Sequence, residues 1–149
     1  MKPREKLSSK SYAYFALRGD DFDPINVTKE LGIEPTNAWK KGDDKGQYLL
    51  NQKYSNWEWS TEKGKESIYL DKLVDEVVEK LKSKIEVINM LKVKYQLESV
   101  LVIVMHIDTN PEESTPALGH NFKTIEFLYQ TQTGTDVDIY RYNSAEKEE

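Results

Sequence analysis

The sequence predicts a single domain of the α+β class, with helices on one face of a mostly antiparallel sheet. Three observations predict it. The chain has 149 residues, enough for one ordinary domain and too few for two. Residues 67–96 place apolar side chains three and four positions apart, the mark of amphipathic helix. Short stretches near 12–18, 99–107 and 136–142 carry strand patterns, and they lie on both sides of that helical region.

Each element has its own justification. In Tyr12–Arg18, period-two alternation sets Ala13, Phe15 and Leu17 on one side, and Tyr12, Tyr14, Ala16 and Arg18 on the other. Gly19 and the Asp20-Asp21 turn end this strand. A short helix follows. Asp23 is its natural N-cap, because a carboxylate there accepts from an orphan backbone N–H. Pro24 takes the first helical position, where its missing N–H costs nothing. Phe22 and Val27 are spaced for a hydrophobic staple. Gly32 is the left-handed stop, with Pro35 soon after.

Residues 36–61 read as a hairpin or a ragged pair of strands. Trp39 lies in the first arm, Gly42–Gly46 is turn chemistry, and the segment from Tyr48 to Asn56 fits no single pattern. Trp57 and Trp59 are two apart and so share a strand face. In the long helical region Lys82-Ser83-Lys84 is an interruption, giving helices near 67–82 and 84–96. The run at 99–107 is apolar on both faces and rich in β-branched residues, which suits a central strand. After a polar loop at 108–120, residues 122–132 fit both a helix and a strand; helix is the reading taken, with Gly134 as its stop. Residues 136–142 form a last strand.

The order is therefore β-α-β-β-α-β followed by α-β. The first six elements are those of a ferredoxin-like βαββαβ core, and the last two add a C-terminal αβ unit. Residues 11–142 make the domain. Residues 1–10 are a polar, basic, flexible arm, and 143–149 a flexible acidic tail.

Composition excludes several functions. There is no cysteine, which removes disulfides, thiolate metal sites and cysteine nucleophiles. His106 and His120 are the only histidines. Acidic residues number 26 against 21 basic, and a net charge of −5 argues against a nucleic-acid or anionic-membrane partner. No apolar run approaches the roughly 18 residues of a membrane span, and the N-terminus lacks the apolar stretch of a secretory signal. The expected compartment is the cytoplasm. No motif implies a cofactor: phosphate-binding glycine loops, dinucleotide fingerprints and serine nucleophile elbows are all absent from the sequence.

Several stretches together resemble one family. They are Phe22-Asp23-Pro24, Leu31-Gly32-Ile33 with Pro35, Trp39 with Gly42-Asp43, and Asp138-Ile139-Tyr140. The chain resembles the bacterial family filed as domain of unknown function 4279, over about residues 11–142. The resemblance implies a small α+β protein of bacterial type. It implies no catalytic or binding residue.

Candidate sites then come from the residues themselves. Asp20 and Asp21 follow the first strand, and Asp136 and Asp138 belong to the last. Were those strands paired, their carboxylates would gather as hard oxygen ligands for Mg²⁺ or Ca²⁺. Capping, turn formation and the absence of a calcium-loop periodicity speak for a plainer role. Trp57, Trp59 and Tyr54 are the candidate binding residues, because aromatics bury large areas at small entropic cost. Tyr48 belongs to the same aromatic group, and Trp39 is expected to fill the core between sheet and helix. His106 has Asp108 near it in sequence but lies in no paired catalytic motif. Lys80, Lys82, Lys84, Lys92 and Lys94 alternate with Glu79 and Glu86, as on a solvated helix face.

The expectation is a small cytosolic binding or interaction protein without a catalytic set. Its concrete form is an immunity-type protein whose acidic surface meets the basic face of a partner toxin. The alternatives are a carboxylate-based metal-dependent enzyme or ligand binder, and a structural homo-oligomer.

Overall fold

The computed structural model describes residues 10–46 and 49–146. Most of the expected N-terminal arm, Tyr48 and the end of the acidic tail lie outside these residues. The elements are β1 (Tyr12–Gly19), α1 (Pro24–Leu31), β2 (Asn37–Trp39), β3 (Ser55–Ser60), α2 (Asp71–Leu81), α3 (Ile85–Tyr95), β4 (Glu98–Asp108), α4 (Phe122–Thr131) and β5 (Gly134–Tyr142). The fold is α+β, with one open five-stranded sheet in the order β2-β3-β1-β4-β5. Every neighbouring pair is antiparallel except β4 with β5, which run parallel.

Local chemistry explains most boundaries. Asp23 Oδ1 accepts from the Ile25 N–H at 3.0 Å, and Gly32 ends α1 at φ 69° while its N–H bonds Thr28 O. The interruption between the two central helices is real: Lys82–Lys84 form a single 3-10 turn. Residues 122–131 are helical, and Asn121 Oδ1 caps them by accepting from the Thr124 N–H at 2.9 Å.

The end of α4 corrects the sequence reading. Gln132, at φ 50°, takes the left-handed position, and Gly134 opens β5 instead. Lys92 helps a non-glycine residue hold that position. Its ammonium donates to Thr131 O at 2.6 Å and Gln132 O at 3.0 Å, covering orphan carbonyls at the helix end. Partial burial holds the Lys92 pKa below the ordinary lysine range.

One side of the sheet carries the core. Ala13, Phe15 and Leu17 from β1, Trp57 from β3, and Leu101, Ile103 and Met105 from β4 pack against Val27, Leu31, Leu73, Val77, Ile88, Leu91 and Phe127 of the helices. Each large side chain fully buried there contributes on the order of 1.5–3 kcal/mol. The alternate residues of the same strands face away from the helices.

Candidate functional site

The face without helices takes residues from all five strands. Register sets Arg18 beside Asn56, Ala16 beside Glu58, and Tyr14 beside Ser60. On the other flank Tyr14 lies beside Val102 and Tyr12 beside Val104. Beyond them Val102 meets Asp136, Val104 meets Asp138, and His106 meets Tyr140. At the opposite edge Asn37 lies beside Glu58, and Trp39 beside Asn56. Strand periodicity alone thus collects tyrosines, carboxylates, amides and one guanidinium on a single surface.

The geometry is organised. Tyr12 and Tyr14 are stacked, with centroids 6.1 Å apart. The Arg18 guanidinium donates to Asn56 Oδ1 at 3.4 Å and to the Tyr14 hydroxyl at 3.5 Å. Asn37 Nδ2 donates to Glu58 Oε1 at 3.0 Å. Lys63 Nζ stands 4.9 Å over the Tyr12 ring. These groups surround a shallow depression of about 540 Å³, lined by Tyr12, Tyr14, Asn37, Glu58, Ser60 and Lys63 among others. His106 stacks on Tyr140 at 5.2 Å towards the far edge.

Burial tunes the ionisable groups. Desolvation lifts the Glu58 carboxyl above the ordinary carboxylate range, against the opposing pull of Asn37 and Arg18. The Tyr12 and Tyr14 phenols are pushed up by burial first and by the Glu58 charge second. A cation arriving here would relieve the strain on ionised Glu58 and lie against electron-rich ring faces.

The residues singled out from sequence fall elsewhere. Trp57 is fully buried, and its ring N–H donates to Thr28 Oγ1 at 3.0 Å. It is a core side chain, not a wet binding residue. Trp59 shares its face, packs against the core, and has Lys80 Nζ 5.5 Å over its ring. Tyr54 is exposed at the sheet edge, edge-on to Trp39 with centroids 5.8 Å apart. Trp39 itself is absent from the core and sits on the uncovered side, which corrects its expected placement.

The gathering of carboxylates is also corrected. β4 lies between β1 and β5, so the first and last strands do not pair. Asp136 is level with Tyr14 across β4, whereas Asp20 lies six residues further along, about 20 Å away in the strand direction. Asp20 accepts from Lys41 Nζ at 3.1 Å. Among the described residues no three His, Asp or Glu side chains come close enough together to hold a metal ion. Asp108, the neighbour of His106, accepts from the backbone N–H groups of Asn110 and Ser144. His120 Nε2 lies 3.2 Å from Thr135 Oγ1.

Sequence reasoning passed over Tyr12, Tyr14, Arg18 and Glu58 as a site. Their signal was present: alternation already set the first three on one side of a strand, and Glu58 opposite its flanking tryptophans.

An α+β sheet with helices on one face and a polar, aromatic surface on the other defines the class of this molecule. The chain matches the family described as Domain of unknown function (DUF4279) over residues 9–142, and it belongs to that family. No curated protein and no solved structure shows a significant match to it. Among the described residues no helix is long and apolar enough to cross a membrane.

Proposed function

We propose that this protein binds a basic surface of a partner protein through the uncovered face of its sheet. The observation that carries the reading is the grouping on one face of Tyr12 and Tyr14 with Glu58, which stands opposite Ala16 and so diagonal to Tyr14, and, level with the tyrosines two strands across, with Asp136 and Asp138. Lys63 over Tyr12 is an internal example of the contact a partner's lysine or arginine would make. The acidic excess of the chain supports the same reading by steering a basic partner towards it. In its concrete form the protein is a bacterial, cytoplasmic immunity-type protein that covers the basic active surface of a toxin. The strand order β2-β3-β1-β4 also supports a ferredoxin-like core, to which α4 and β5 add the acidic rim.

The test is a heteronuclear NMR titration with a short lysine- and arginine-rich peptide. Expected are amide shifts centred on Tyr12, Tyr14, Arg18 and Glu58, an affinity that falls with salt, and a loss of more than about tenfold in Glu58→Gln. Shifts confined to the helical side, or an affinity indifferent to Glu58, overturn the proposal.

A further inference from the structure

The two edges of the sheet are protected to very different degrees. β2 is three residues long and runs straight into Lys40, Lys41 and the turn at Gly42. Short, charged edges of this kind resist pairing. β5 is nine residues long, exposed nearly throughout, and paired with β4 in unbroken register from Gly134 to Tyr142. It carries no proline, no lysine and no bulge. Ile139 is 58% exposed on its helix side, and Tyr140 is 56% exposed on the uncovered side.

We propose that the β5 edge pairs with β5 of a second copy, antiparallel about a two-fold axis at Ile139. The side chains of the strand select this occupant. On the uncovered face β5 reads Asp136, Asp138, Tyr140, Tyr142: acids in the first half, phenols in the second. Antiparallel self-pairing necessarily brings the first half of one copy to the second half of the other. Centred on Ile139, Asp138 stands opposite Tyr140 of the other copy, so carboxylate meets phenol. Centred on Asp138 or Val137, aspartate would stand opposite aspartate, which is repulsive. On the helix face the Ile139 register sets Ile139 against Ile139, an apolar contact at the axis.

A second exposed apolar surface lies on the element nearest in sequence to this edge. Phe122, Ile125 and Tyr129 form a stripe on α4 at helical spacing, opposite the buried Thr124, Phe127 and Thr131. Phe122 is 89% and Tyr129 76% exposed. His120, just before α4, is tied to Thr135 of β5. The two sheets become one, and the acidic strands of both copies meet at its middle. The dimer is independent of the basic-partner reading, since a monomer could still bind such a partner.

Absence of cysteine makes the register directly testable. Ile139→Cys places one thiol per copy at the axis, where facing Cα atoms of an antiparallel pair are about 4.5–5.5 Å apart, within disulfide reach. Oxidised glutathione, itself reduced in the exchange, should convert this variant to a covalent dimer. In Val137→Cys the two thiols are offset by four residues, about 13 Å along the strands, and should stay unlinked. Sedimentation equilibrium of the parent should show a dimer, and Ile139→Lys a monomer that keeps the parent's far-ultraviolet circular dichroism and melts at a temperature independent of its concentration. A parent that remains monomeric through the micromolar range overturns the proposal. So does a dimer that survives Ile139→Lys, or Val137→Cys linking as readily as Ile139→Cys. Recovery of a different protein's strand on this edge overturns it too.

Discussion

Alternate residues of β1 have opposite surroundings. Ala13, Phe15 and Leu17 are wholly enclosed by the helices, while Tyr12, Tyr14 and Arg18 keep partial contact with solvent. β3 divides in the same way, with Trp57 inward and Glu58 outward. The helix side is closed mainly by apolar shape, with a few buried polar bonds such as Trp57–Thr28 and the Ser99–Thr133–Thr131 hydroxyl cluster. The other side is held by a polar lattice in which Arg18 joins Tyr14 to Asn56, and Asn37 holds Glu58. One strand pattern therefore specifies a packed layer and a polar, aromatic surface together. The difference predicts that substitutions on the two faces fail in different assays.

The largest effect belongs to the closed face. Trp57→Ala removes the largest fully buried side chain and the bond that the Thr28 hydroxyl accepts, leaving that hydroxyl its donation to Pro24 O. The expected loss is about 3–5 kcal/mol, read from urea unfolding. A loss below about 1 kcal/mol would mean that Trp57 is not a core residue.

Tyr14→Ala tests the open face. The ring is half-buried and stacked on Tyr12, so some stability is lost, about 1 kcal/mol. The affinity for a lysine- and arginine-rich peptide should fall by about tenfold or more. Equal damage to both quantities would erase the contrast between the faces.

How much of this contrast was legible follows from what each signal reports. Capping at Asp23, the stop at Gly32 and the break at Lys82–Lys84 are local, and the structure carries each of them. The helical reading of 122–131 holds although alternation also fitted; the Asn121 cap that starts the helix lies outside the ambiguous run and played no part in that reading. The end of α4 was misassigned to Gly134 because Lys92, from another helix, stabilises Gln132 in a glycine-like conformation. Trp57 and Trp39 lie on the sides opposite to those expected of them for a related reason. Alternation says which residues share a face but not which face the helices cover. The sequence marks Trp57 and Tyr14 equally as aromatic strand residues. Only the packing of distant helices made one of them core and the other surface.

Glu58→Gln sharpens the comparison through opposite signs. Burial raises the Glu58 pKa in the folded state, so its ionised form is disfavoured there. A carboxyl of this kind supports folding fully below its unfolded pKa and loses that support as pH rises through the raised folded value. The variant should therefore gain stability on its parent between about pH 4 and 7, while losing affinity for a basic peptide. Urea midpoints across that window, set beside binding at its upper end, read both signs. A variant less stable at the upper end would place Glu58 among the groups that hold the fold.

The smallest effect is expected at Asp20, which lies off both faces. Its carboxylate is 84% exposed and, among the described residues, pairs with Lys41 at 3.1 Å. Water competes strongly for such a pair, and ordering the long lysine chain offsets most of the attraction. Asp20→Asn should change stability by less than about 0.5 kcal/mol. Because Asp136 is separated from it along the sheet, millimolar Mg²⁺ or Ca²⁺ should shift the melting temperature of parent and variant alike by nothing measurable. A cation-induced rise that disappears in the variant would mean that the carboxylates of the first and last strands do converge. The chemistry of the molecule would then reside at the end of the sheet and not on its open face.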